Sequence, residues 1–240
     1  MAVGSGGVWK TENSGTTWTP LFDEQASYST GCITLDPQNP ATVWVGSGEN
    51  VGGRHVAYGD GIYRSKDGGK SWENMGLKQS EHISKIIVHP DNSNVVWVAA
   101  QGPLWNKGGE RGVYKTNNGG KTWKSISKGI PDGTLLWRIV QDHVDENILF
   151  LATEYGVYVS LNQGEESHNF SRGLPTISVR DLAIQKREND LVLATFGRSF
   201  YVLDDYSALR EINENSIGEE AILFAPKKAL QYNRINGGTR

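Results

Sequence analysis

The chain has a single cysteine, Cys32, among its 240 residues. One thiol cannot build an internal disulfide framework, and it leaves the redox compartment open. Cys32 lies in the apolar stretch Gly31-Cys32-Ile33-Thr34-Leu35 and reads as a small buried strand residue rather than a nucleophile. No run of about 18 consecutive apolar residues occurs, so no transmembrane helix is expected. The first six residues, Met1 to Gly6, lack a basic segment and an apolar core and do not read as a signal peptide. The net charge is −3, and lysines and arginines are scattered, which gives no basic patch for nucleic acid. The histidines at 55, 82, 89, 143 and 168 lack metal-ligand spacing, and His89 and His143 read as turn residues. The glycine pairs belong to hairpins rather than to a phosphate-cradling loop. No metal, cofactor or nucleic acid is therefore expected.

What the chain has in abundance is glycine, 29 residues, and tryptophan, 8 residues, which suits many tight turns and aromatic contacts between sheets. Its length is enough for one sizeable all-β domain. Gly61-Ile62-Tyr63-Arg64-Ser65 has strand alternation, Asp67-Gly68-Gly69 is turn chemistry, and Trp72 opens a second strand. Asp67 can hydrogen-bond the backbone just beyond it while the glycines take positive φ. The same arrangement recurs, as Ser/Thr-x-Asp/Asn-x-Gly-x-x-Trp, at 11–18 and 116–123, and in worn form at 160–167, where Ser167 replaces the tryptophan. Successive copies begin 54, 51 and 44 residues apart. A period of this length fits a repeat of four strands.

This motif resembles the Asp-box, or BNR repeat, of sialidase-type propellers. The Gly-Val-Tyr-Lys-Ser/Thr strand before it is similar to the propellers of the sortilin group and of xyloglucanase-like glycoside hydrolases. Gly48-Glu49-Asn50, Tyr58-Gly59-Asp60-Gly61 and Val179-Arg180-Asp181-Leu182-Ala183-Ile184-Gln185 resemble stretches of large bacterial glycosyl hydrolase proteins with BNR repeats. The resemblance covers most of residues 1–210. It implies a secreted or periplasmic location, which the chain itself does not show. It also implies that the Asp-box turns lie away from the ligand.

The repeats predict an all-β fold, a β-propeller of about five four-stranded antiparallel blades with strands running from inner to outer in chain order. It would be a closed small propeller or a piece of a larger one. Residues 1–210 would hold the repeats. Met1–Gly6 aligns with the middle of a repeat, near Val45-Gly46-Ser47-Gly48, so the sequence is expected to start inside a blade. Residues 211–240 would complete the propeller, with Ala221–Phe224 as a strand outside the fifth blade and 229–233 filling the first.

Binding residues collect on loops held by a rigid scaffold. Opposite the Asp-boxes these are the second-to-third-strand loops and the blade-to-blade connections. Asn50, Arg54, His55, Tyr58, Glu81, Trp105 and Arg198 are the candidate ligand-binding residues. Glycoside hydrolysis needs two carboxylates about 5–10 Å apart, for which Glu49, Asp60 and Glu154 are candidates. Arg54, Arg111, Arg180 and Arg198 are the arginines placed for a sialidase-like triad, but no tyrosine–glutamate pair marks a nucleophile. Three readings stand: a glycan- or peptide-binding propeller, a glycoside hydrolase, and a structural propeller whose partner is another domain of a longer protein. On the bland reading the loop polar residues are solvated or pair between blades, and the Asp-box residues serve their own turns.

Overall fold

The computed structural model describes residues 1–50, 56–213, 216 and 219–226. Its strands form five consecutive antiparallel sheets. The first holds β1 (Ala2–Val3), β2 (Gly7–Lys10) and β3 (Thr19–Pro20). The second holds β4 (Thr30–Leu35), β5 (Val43–Ser47), β6 (Ile62–Ser65) and β7 (Glu73–Asn74). The third holds β8 (Ile83–His89), β9 (Asn92–Ala100), β10 (Gly112–Thr116) and β11 (Lys124–Ser125). The fourth holds β12 (Leu136–Gln141), β13 (Leu149–Thr153), β14 (Gly156–Ser160) and β15 (His168–Asn169). The fifth holds β16 (Val179–Gln185), β17 (Asp190–Thr195) and β18 (Phe200–Leu203). Spatial order follows chain order in every sheet, and β4, β8, β12 and β16 lie side by side as inner strands. These are the blades of a β-propeller, as the repeat predicts. Three have four strands and the first and fifth have three among the described residues.

The second, third and fourth blades each bury one face against the predecessor and the other against the successor. Strand periodicity of two makes this possible, because alternate residues point to opposite faces. Leu149 and Leu151 join the cluster shared with the third blade, whereas Ile148, Phe150 and Ala152 join the cluster shared with the fifth. Trp44, Trp97 and Phe150 hold one repeated position and are all fully buried. The inner strands share a further feature: register shifts lie between Thr30 and Cys32, Ile83 and Lys85, Leu136 and Arg138, and Val179 and Asp181. Such bulges re-aim one side chain at a strand end. Here the re-aimed residues are Gly31, Ser84, Trp137 and Arg180.

The Asp-boxes are closed turns. Ser65 Oγ accepts the Gly69 amide at 2.8 Å, and Asp67 Oδ1 accepts the Ser71 amide at 2.9 Å and the Ser65 hydroxyl at 2.8 Å. Hydrogen bonds from Ser71 and Ser65 hold the Asp67 carboxyl well below the usual carboxylate range. The same bonds recur around Thr11 and Asn13, Thr116 and Asn118, and Ser160 and Asn162. Ser65 is buried, so Ser65→Ala is expected to cost about 1–3 kcal/mol through the Gly69 amide it strands. Denaturant unfolding checks this, and ligand affinity of the folded variant should not change.

Trp18 lies on its own turn, donating Nε1–H to Gly15 O at 3.1 Å, but it is 42% exposed, because no earlier blade stands beside it among the described residues. One expectation is corrected. Ala221–Phe224 forms no strand, and Leu223 is 98% exposed. Strand composition alone does not pair a segment with an edge, and Ala221–Phe224 pairs with none. The chain after β18 instead anchors through a 3₁₀ turn, Tyr206–Glu211, that docks on the fourth blade. The 229–233 stretch lies outside the described residues. No strand links the first and fifth sheets among the described residues.

Candidate functional site

All second strands run in one direction, so the loops that follow them gather on one rim, opposite the Asp-box hairpins. In the second to fifth blades each of these loops presents one large exposed aromatic. They are Tyr58 after β5, Trp105 after β9, Tyr155 after β13 and Phe196 after β17, exposed by 58%, 64%, 61% and 68%. Exposed aromatics scattered singly need no explanation, but one per blade at one topological position is a pattern. Tyr58 and Trp105 were legible as candidates in the sequence. Tyr155 and Phe196 gain significance only once the blades are aligned.

Between Phe196 and the fourth blade sits Arg180. Its guanidinium carbon lies 3.6 Å from the centre of a Trp137 ring and 5.0 Å from that of Phe196. Both Trp137 and Arg180 are bulge residues, which is what turns them toward each other. Trp137 Nε1 and Arg180 Nε are buried without a hydrogen-bond partner, and burial lowers the Arg180 pKa. Stacking on π-faces holds the cation in place of a carboxylate. Among the nominated arginines that are described, Arg180 is the one held in this way. Arg111 is committed to backbone: it donates to the carbonyls of Gln101, Gly133, Asn106 and Pro103. Arg198 is exposed. Arg54 and His55 lie outside the described residues.

The candidate carboxylates each secure a loop. Glu49 accepts the Ala57 amide at 3.2 Å. Asp60 accepts the Tyr63 hydroxyl at 2.5 Å and that of Ser47 at 3.3 Å. Burial, then the Asp60 hydrogen bond, pushes the Tyr63 phenol up to about 12. Glu154 accepts the Leu135 amide at 3.0 Å. The Asn50 amide ties two inner strands, donating to Gly31 O at 3.0 Å and Ser84 O at 3.5 Å. Glu81 acts through its backbone: φ is 61° and its carbonyl accepts the Gly59 amide at 2.7 Å. The approach there is so close that a Cβ on Gly48 would lie 1.9 Å from Glu81 O. Glu49, Asn50, Asp60 and Glu81 thus seat the loop that carries Tyr58.

Beneath that loop, His82 is fully buried, and its ring stands 5.6 Å from that of Tyr58. Burial lowers its pKa, with the Glu49 backbone opposing, so the ring is neutral near pH 7. The Cys32 thiol is pushed up to about 11 by burial, as suits a residue of an inner strand and not a nucleophile. No cluster of three His, Cys, Asp or Glu able to hold a metal occurs among the described residues. No helix among them is long and apolar enough to cross a membrane.

The fold and this rim define the molecule as a β-propeller whose one rim carries exposed aromatics. The sortilin–Vps10 family profile, described as "Sortilin, neurotensin receptor 3", matches residues 6–132, more than half of the chain. The chain belongs to that family. No curated protein matches it by sequence. Among solved structures it is similar to an ancestral GH74 enzyme, at 22% identity and a TM-score of 0.66, covering 81% of this chain and 25% of that one. It is similar to the GH74 xyloglucanase of Xanthomonas campestris, at 14% identity and a TM-score of 0.64, covering 86% and 34%. It is also similar to PorZ, a bacterial surface component of the type-IX secretion system of Porphyromonas gingivalis, at 14% identity and a TM-score of 0.61, covering 84% and 30%. At these identities the likeness shows the fold alone. The chain spans about a quarter to a third of the length of these structures.

Proposed function

We propose that the protein binds an extended glycan across the rim that carries Tyr58, Trp105, Tyr155 and Phe196. The observation that carries this reading is the repeated aromatic, one exposed ring on the second-to-third-strand loop of each of four successive blades. A linear sugar chain offers a series of apolar ring faces, and such a row of platforms suits it. Trp105 is the largest platform, and Arg180 supplies a fixed donor group beside Phe196. Resemblance to a xyloglucanase supports a glycan over a peptide, and resemblance to a surface component supports a secreted or periplasmic setting. Residues 1–210 serve as the repeat unit that presents this face.

Fluorescence titration with oligosaccharides and, separately, with extended peptides tests the proposal. Trp105→Ala and Tyr155→Ala are each expected to weaken oligosaccharide binding by about 5–30-fold, the scale of an interfacial hot spot. Because both rings are largely solvated in the free protein, the melting temperature should stay within a degree or two. Binding to peptides alone, or to neither class, would remove the glycan reading. A hydrolysis screen on aryl glycosides addresses the enzyme alternative. The hydrogen bonds that tie Glu49, Asp60 and Glu154 to their own loops favour binding over turnover.

A further inference from the structure

A second recessed surface lies between the outer parts of the fourth and fifth blades. It is a groove of about 470 Å³ lined by Val157, Phe170, Leu191, Leu193, Tyr201 and Leu203, among others. It borders β18, which pairs with β17 on one edge and with no strand on the other among the described residues.

The same molecule shows what belongs there. Between the first and second blades the matching positions are Val8, Leu21, Val43, Val45 and Tyr63, and Trp72 packs against that cluster. Trp72 donates Nε1–H to Leu21 O at 2.7 Å and meets Phe22 edge-on at 5.1 Å. Between the second and third blades Trp123 does the same, donating to Met75 O at 2.7 Å. Each indole opens a short fourth strand that pairs with the third. Its next apolar residue, Met75 or Ile126, donates its amide to the carbonyl that begins the third strand, Ile62 O at 2.6 Å or Val113 O at 2.8 Å. In the fifth blade the positions equivalent to Ile62 and Val113 are held by Phe200. The two former are 0% and 1% exposed, but Phe200 is 70% exposed. The lining of the groove has its counterparts in a site that an indole fills elsewhere, and among the described residues neither an indole nor a fourth strand occupies it here. Residues 204–240 contain no tryptophan.

We propose that the groove and the open edge of β18 dock an extended strand of a partner polypeptide with the pattern Trp-polar-polar-apolar. Main-chain bonds to β18 would supply affinity, and the indole in the groove would supply selectivity, the usual division in strand addition.

The probe is a labelled peptide with the sequence of residues 121–128, Lys-Thr-Trp-Lys-Ser-Ile-Ser-Lys, titrated against the full chain by fluorescence polarisation. Saturable binding is expected. It should weaken at least about 10-fold when the peptide tryptophan becomes alanine, and similarly when its isoleucine amide is N-methylated. In the protein, Leu203→Arg at the groove rim should abolish binding, while Trp105→Ala, in the third blade, should leave it unchanged. Should Leu203→Arg fail to fold, Leu203→Ser, the residue type at the equivalent positions 65 and 160, replaces it with a loss of several-fold expected. Absence of saturable binding, or binding indifferent to the tryptophan, the methylated amide and Leu203, would overturn the proposal. The glycan reading of the rim would stand or fall separately.

Discussion

Trp72→Ala is expected to destabilise the protein by about 3–5 kcal/mol, and Trp18→Ala by under about 1 kcal/mol, although both residues end the same motif. Trp72 is wedged between two blades, with its ring on Phe22 and its Nε1–H on Leu21 O. Its removal opens a void between sheets and leaves a carbonyl without its donor. Trp18 is 42% exposed, and its Nε1–H returns to Gly15 O of its own hairpin. Water replaces most of what it loses. Paired urea melts measure the difference. Equal losses would mean that the Asp-box tryptophan stabilises its own turn and not the seam between blades.

The second large effect concerns the anchor of the 3₁₀ turn. The Asp142 side chain is fully buried. It accepts hydrogen bonds from Arg210 at 2.7 and 2.8 Å and from the Tyr206 hydroxyl at 2.6 Å. Burial alone would raise its pKa, but the bonds from Arg210 and Tyr206 outweigh that and hold it well below the usual carboxylate range. Asp142→Ala is expected to cost about 3–5 kcal/mol at pH 7, because it strands a half-buried guanidinium. The wild-type contribution also depends on pH. The unfolded carboxyl titrates near about 3.9 and the folded one lower, so the unfolded state takes up the proton first as acid is added. The contribution is full above about pH 5 and drains as the pH falls through and below about 4. The gap in melting temperature between wild type and Asp142→Ala should therefore narrow from pH 7 to pH 3. A constant gap would show that shape and not charge holds the turn.

The outcome for the C-terminal stretch follows from the same interactions. Ala221–Phe224 has strand composition and yet forms none. Tyr206, meanwhile, is only 2% exposed and packs against Phe150. Apolar content measures how much a segment gains from burial, not which surface it meets.

What the sequence determined by itself was local. The Asp-box needs a hydroxyl, an Asp or Asn and a glycine within a few residues of one another, and those bonds close inside the turn, so the blades and their order were legible. Strand alternation likewise marked the strands, but burial of both faces of β6 follows from the blades on either side of it. The tertiary structure alone decided every property that depends on a neighbouring blade. It separates Trp18 from Trp72, and it turns Glu49, Asp60 and Glu154 into loop fasteners. It brings Trp137 and Arg180, 43 positions apart, into a stack at two bulges. It also leaves the fifth blade with a groove whose counterparts are filled. The physical reason is range: turn hydrogen bonds are set by adjacent residues, whereas burial and stacking are set by whichever sheet comes to lie alongside.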